Sequence, residues 1–327
     1  MKILNTSKQT KRWALISLTL PLTLITFAQA ESIQTCQAPV TIAEQGVVSK
    51  LRQGANKHRY LDVDINGVTA QAVIDTGGMG IGGLISQALL SDIGIDEKSM
   101  TEMTANGAHG ASSAKRINIA KTKIANASVE NLMFMSTEKN IMQDDNAPVL
   151  IGSRFLCQFL VGFNFSNNTL ALYDRKTNVL DILEEPKQWS SFPFENFYGT
   201  GGIVFTMELN GKKVKAALDT GSPFTGVNWK AARLAGVEKN SKQLHQYEAV
   251  AHSLNATEAT IVSETEFLLS LQGRQLERKD KEVRINDTHA FKQIFGDNPG
   301  IILGLPFFEK RRLVIDYTNK RLYIAES

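Results

Sequence analysis

The sequence predicts a mainly β chain with a few short helices, built as two copies of one domain, and three observations carry that prediction. Residues 60–77, YLDVDINGVTAQAVIDTG, match residues 204–221, VFTMELNGKKVKAALDTG, at a constant offset of 144. Gly67 aligns with Gly211, Asp75 with Asp219 and Gly77 with Gly221. Each copy sets an Asn-Gly pair between alternating runs, the strongest short-range hairpin signal. A second pair of blocks follows in the same order: residues 149–172, VLIGSRFLCQFLVGFNFSNNTLAL, and residues 301–324, IILGLPFFEKRRLVIDYTNKRLYI. Their offset is 152, so the second copy carries eight extra residues between its blocks. Each block reads as an apolar run closing on Gly152 or Gly304, a short helical piece, a strand, a polar turn and a closing strand. Shared order over two separate blocks argues for duplication.

In chain order the organisation reads as a leader over 1–30, a first lobe over 31–185, a linker over 186–200 and a second lobe over 201–327. A length of 327 residues suits two domains. The leader opens on Lys2, Lys8, Lys11 and Arg12, continues as an apolar stretch from Trp13 to Phe27 and ends in Ala28-Gln29-Ala30. That is the pattern of a secretory signal peptide, cleaved after Ala30. Its core of about 15 residues is short for a bilayer-spanning helix, the alternative being an uncleaved anchor. No later stretch is apolar enough to span. The leader looks bacterial, so the expected location is the periplasm, or the medium after secretion.

The formal charge is +3, from 36 basic and 33 acidic residues. Without the leader, 32 basic face 33 acidic residues, and no electrostatic case for a nucleic-acid partner remains. With 43% apolar and 21% charged residues, the composition excludes disorder. Short helices are expected at Leu84–Ile93 and Trp229–Ala235, while 101–140 and 244–290 read as mixed strand and loop. Glu184-Glu185-Pro186 and Pro193 mark the linker. The segment from Glu31 to Lys57 reads as an extra strand, a tether or a propeptide. Cys36 and Cys157 are the only cysteines, which in an exported chain allow one disulfide; two inert thiols are the other reading. No His pair at ligand spacing suggests a metal.

Asp-Thr-Gly by itself is a common surface turn. Here each Asp follows an apolar run, Ala72-Val73-Ile74 or Ala216-Ala217-Leu218, which puts a carboxylate at the edge of a core. Such a group is costly there unless hydrogen-bonded or put to use. It occurs twice, at equivalent places in two similar lobes, so a pseudo-twofold packing brings the two together. This pattern resembles the aspartic proteases of the pepsin and retropepsin type over nearly all of the chain after the leader. The second copy, Ala217-Leu218-Asp219-Thr220-Gly221-Ser222 with Ile302-Leu303-Gly304, follows the family closely.

The resemblance implies a bilobal acid-protease-like fold of two β-barrel-like lobes, acting as a monomer with both lobes in one chain. It implies an exported aspartic endopeptidase with Asp75 and Asp219 as catalytic carboxylates, a peptide or protein substrate, and no cofactor. Close carboxylates share a proton, so one activates a water while the other donates to the substrate carbonyl. Which plays which role stays open. The family assigns Thr76 and Thr220 to a grip between the loops; Gly77 and Gly221 let backbone N–H groups approach, and Ser222 supports the second loop.

Some features depart from the family. Gly78 stands where a hydroxyl residue is usual, and no flap tyrosine is evident; 101–114, TEMTANGAHGASSA, fits a flap hairpin without an aromatic. His109 reads as a solvated loop residue, and Tyr247 and His252 fall on the matching stretch of the second lobe without a role. These departures favour the alternative function, a non-catalytic periplasmic peptide-binding protein on the same fold. Gly78-Met79-Gly80-Ile81-Gly82-Gly83 contains Gly-x-Gly-x-x-Gly, but it follows a hairpin strand and an acid that would repel pyrophosphate. Asn126, Asn167, Asn255 and Asn286 open sequons of a kind that arise by chance.

Overall fold

The computed structural model describes residues 17–19, 36–43, 45–54, 57–107, 110–137, 147–185, 188–252, 257–271 and 276–326. The fold is mainly β, with short helices between strands. Each half opens with a hairpin, Arg59–Ile65 against Val68–Ile74 and Gly202–Leu209 against Lys212–Leu218. The turns fall on Asn66-Gly67, with φ of 51° and 91°, and on Asn210-Gly211, with φ of 47° and 74°. Two successive positive φ values suit the right-handed twist of the strands, which is why Asn-Gly occupies both turns.

The second strand of each hairpin ends in three buried residues because it is covered on both faces. Val149–Ile151 inserts between Val68–Ile74, in parallel, and Gly83–Ser86, antiparallel. Gly300–Leu303 inserts in the same way between Lys212–Leu218 and Gly226–Val227. Central strands of this kind read as unbroken apolar runs.

The mixed regions are long hairpins. Thr101–Gly107 pairs with Gly110–Ile124, which pairs on with Ala127–Thr137. In the second half His245–His252, Thr257–Leu271 and Leu276–Ile285 repeat the plan, with a bulge between Thr265 and Phe267. The helix expected over Leu84–Ile93 is not formed. Gly83–Ser86 is a strand and only Gln87–Leu89 makes a 3-10 turn, because Gly83–Ser86 also pairs with Phe134–Thr137 and is held on both edges. Trp229–Leu234 is helical, capped by Asn228 Oδ1 accepting from the Ala231 N–H at 2.8 Å.

A six-stranded sheet joins the halves, in the order Ser190–Pro193, Arg321–Glu326, Arg311–Asp316, Phe159–Asn164, Thr169–Asp174, Val47–Lys50. Within 186–200 the described residues form two short strands, Ser190–Pro193 and Glu195–Phe197. One apolar cluster runs through both halves, from Ile65, Phe134 and Phe155 to Phe205, Phe267 and Phe307. Cys36 is disulfide-bonded to Cys157, tying the segment before the first sheet to the buried turn after Ser153–Leu156. Of residues 1–30 only Ser17–Thr19 is described, as an edge strand parallel to Val250–His252. Among the described residues no helix is long and apolar enough to cross a membrane.

Candidate active site

The central inserted strands hold the two Asp-Thr-Gly loops. The Asp75 N–H donates to Ile151 O at 2.9 Å, and the Asp219 N–H to Leu303 O at 3.0 Å. From there the chain turns sharply, and the two loops meet. Thr76 Oγ1 donates to Leu218 O at 3.0 Å and accepts from the Thr220 N–H at 3.0 Å. Thr220 Oγ1 donates to Ile74 O at 2.9 Å and accepts from the Thr76 N–H at 3.1 Å. Four reciprocal bonds, all between buried groups, fix the loops against each other.

This grip brings each carboxylate onto the other loop's glycine. A Cβ placed on Gly77 would stand 2.7 Å from Asp219 Cγ, and one on Gly221 would stand 2.5 Å from Asp75 Cγ. No side chain fits at either position, so Gly is required by contact rather than by φ. Asp75 Oδ1 accepts from the Gly77 N–H at 2.7 Å. Asp75 Oδ2 and both oxygens of Asp219 lack a well-aligned donor among the described residues, the nearest N–H groups lying off the bonding direction. Both carboxyl groups are 0% exposed.

Burial raises the pKa of both acids. Asp75 is pushed well above the usual carboxylate range, first by burial and then by the facing Asp219 charge. Asp219 is pushed up to about 6 by burial, its rise limited by the facing Asp75 carboxyl and the N–H groups of Ser222 and Gly221. One proton therefore resides on the pair well above the pH at which a free carboxyl ionises.

The Ser222 hydroxyl donates to Phe224 O at 2.7 Å and the Leu305 N–H donates to Ser222 O at 2.9 Å. The Ser222 hydroxyl thus braces its loop and is spent on Phe224 O rather than on the Asp219 carboxylate. The hydroxyl missing at Gly78 accordingly has no carboxylate-bonding counterpart in the second half. In the glycine-rich loop after Asp75 the backbone donors are spent internally. Gly80 N–H reaches Thr200 O and Ser153 Oγ, each at 3.0 Å, and Gly82 N–H reaches Met133 O at 2.7 Å. Buried Met79 carries the loop into the second half, beside Val204, Ala217 and Ile302. The loop is a wedge between halves, with its amides unavailable to a phosphate.

The hairpins cover the faces that carry the loops. Ala105 and Ala114 pack with Ile81, Leu84 and Leu150 in the first half; in the second, Val262 and half-buried Tyr247 pack with Val204, Ala217 and Ile302. Tyr247 OH donates to Glu264 Oε2 at 2.9 Å. His109 lies outside the described residues, as does the His252 side chain. Phe224 and Arg284, which stack beside the second loop, carry no sequence motif; the one local signal is a charge set between the apolar Val283 and Ile285.

Residues 61–155 match the family model described as Aspartyl protease. The matched stretch runs from the first hairpin through Asp75-Thr76-Gly77 to the segment closing on Gly152. No curated protein matches the chain. Among solved structures it is similar to a retropepsin-like aspartic protease from Rickettsia conorii, at 16% identity over 42% of this chain and 94% of that one, with a TM-score of 0.30. Over residues 61–155 the chain is therefore similar to the aspartyl proteases, and that stretch includes the first Asp-Thr-Gly loop.

Proposed function

We propose that the protein is an exported, periplasmic aspartic endopeptidase whose single active site is built by Asp75 and Asp219, one from each half. The observation that carries this reading is the pair of buried carboxylates gripped together through Thr76 and Thr220. In the first step the ionised carboxylate takes a proton from a water whose oxygen bonds to the peptide carbonyl carbon, while the protonated partner donates to the carbonyl oxygen. The resulting diol collapses: the C–N bond breaks, the amine nitrogen receives a proton from one carboxyl, and a diol hydroxyl returns its proton to the other. Both carboxyls are covered, so substrate entry requires the hairpins to part. The leader sequence supports export, and a disulfide is at home in an oxidising compartment.

The test is cleavage of a mixed peptide library by the chain lacking residues 1–30, followed by mass spectrometry across a wide pH range. Asp75→Asn and Asp219→Asn should each reduce cleavage by at least roughly a thousandfold while the fold persists. A folded wild-type chain that retains peptides yet cleaves none at any pH would overturn the reading and leave a peptide-binding protein.

A further inference from the structure

Arg284 is a buried cation with two unspent donors. It lies on Leu276–Ile285 and is only 3% exposed. Its guanidinium carbon stands 3.3 Å from the centre of the Phe224 ring, and its Nε and Nη1 have no hydrogen-bond partner. The Arg284 N–H donates to Thr225 O at 3.0 Å, which anchors the residue beside the second catalytic loop.

The duplication locates it within the site. Leu84 pairs with Met135 on one side and Leu150 on the other; Gly226 pairs with Arg284 and Ile302. Leu150 and Ile302 are repeat partners, so Arg284 occupies the place of Met135. Met135 is wholly buried with Ile81, Leu84, Leu150 and the hairpin residues Ala105 and Ala114, an apolar surface beneath the first hairpin. The second half replaces it with a guanidinium under the strand that carries Tyr247.

Nearby acids are already engaged. Glu264, directly across the sheet from Arg284, accepts from Tyr247 OH, and Tyr247 also hydrogen-bonds the Arg284 guanidinium. Glu282 forms an ion pair with Lys57 at 3.5 Å, and the same lysine lies 5.6 Å from the centre of the Phe224 ring. A buried guanidinium is costly unless its donors are used, and a free guanidinium N–H pairs strongly with a carboxylate oxygen. We propose that Arg284, held flat on Phe224, is a specificity residue that receives an acidic side chain of the peptide substrate on the second-half side of the cleft. This rests on the cleft being a peptide site; catalysis by the dyad is a separate matter.

The probes are peptide pairs that differ only by Asp against Asn, or Glu against Gln, at each position flanking the scissile bond. Wild type should favour one acidic position by at least roughly tenfold in kcat/KM. Arg284→Met, which installs the first-half residue, should erase that preference and leave cleavage of the amide peptides within a few-fold. Arg284→Lys should keep part of the preference; should the Met variant fail to fold, Arg284→Gln reads the same difference. Binding of the same pairs to the Asp219→Asn chain, followed by fluorescence anisotropy, should rank them identically. Equal handling of acid and amide by wild type, or a preference surviving in Arg284→Met or Arg284→Gln, overturns the proposal. Preferential binding without any cleavage would sink the protease reading and leave this inference standing.

Discussion

Asp75 and Asp219 end apolar strands, so burial favours their neutral forms and sets how the protein responds to pH. With Asp219 raised to about 6 and Asp75 pushed well above the usual carboxylate range, the pair is fully protonated in acid and gives up its first proton around pH 6. Peptide hydrolysis should therefore rise with pH through about 6, an acid limb displaced toward neutrality that a kcat/KM profile will locate. Folding stability should run the other way. A carboxyl with a raised folded pKa contributes most below its unfolded value of 3.8, and that contribution is lost as pH climbs through about 6. Asp219→Asn removes the ionisation. Its unfolding free energy should exceed that of wild type at pH 7 by on the order of 3 kcal/mol and converge with it near pH 4, by urea titration. Thr76→Val orphans the Thr220 N–H and the Leu218 carbonyl, and should cost about 2–3 kcal/mol with a larger loss of activity; Thr76→Ser should restore both. The paired carboxylates were legible in the sequence because their chemistry demands fixed residue types at repeated positions. Arg284 was not, since a charge in a polar strand reads as solvated until the register reveals which face it takes.

At the scale of elements, the first hairpins were readable from Asn66-Gly67 and Asn210-Gly211, where only residues tolerant of positive φ serve. Local signal failed at Leu84–Ile93. Its composition suits a helix, but pairing with Val149–Ile151 and Phe134–Thr137 imposes a strand on Gly83–Ser86, a tertiary override of propensity. The long hairpins were obscure for a different reason: the exposed positions of Gly110–Ile124 are mostly polar, so alternation marks strand without marking partner. The Cys36–Cys157 bond acts on one such element. It closes 121 residues and pins the segment whose Ala38 N–H donates to Gln158 Oε1 at 3.0 Å and whose Val40–Thr41 edges the first sheet. Loop-closure entropy puts its contribution at up to about 5 kcal/mol. Cys36→Ala should lower the urea midpoint accordingly and release the segment to limited proteolysis, while the dyad, which the bond does not touch, keeps its pH profile. A changed profile would mean that the disulfide also positions the catalytic loops.

The duplication made two similar halves visible, but not how tightly they depend on each other, because the sheet that joins them pairs strands far apart in sequence. Phe159–Asn164 of the first half lies against Arg311–Asp316 of the second, with Phe163 opposite Leu313, and neither strand has an edge to spare without the other. Met79 inserts from the first half among Val204, Ala217 and Ile302, while Ser153 Oγ donates to Thr200 O at 2.7 Å. The threonine grip adds four bonds that exist only when both loops are in place. Separating the halves would expose an apolar cluster that runs through both, together with two unpaired sheet edges. Neither half then keeps a complete core, and unfolding of one removes much of what stabilises the other. The whole chain should accordingly unfold in one transition, with calorimetric and van't Hoff enthalpies in agreement, despite its two-domain length. Residues 201–327 expressed alone should be poorly folded or self-associated, and adding residues 31–200 should recover a native spectrum. Two resolved calorimetric peaks, or a stable monomeric second half, would mean that the joining sheet and the grip are weak, and that the dyad assembles only when substrate draws the halves together.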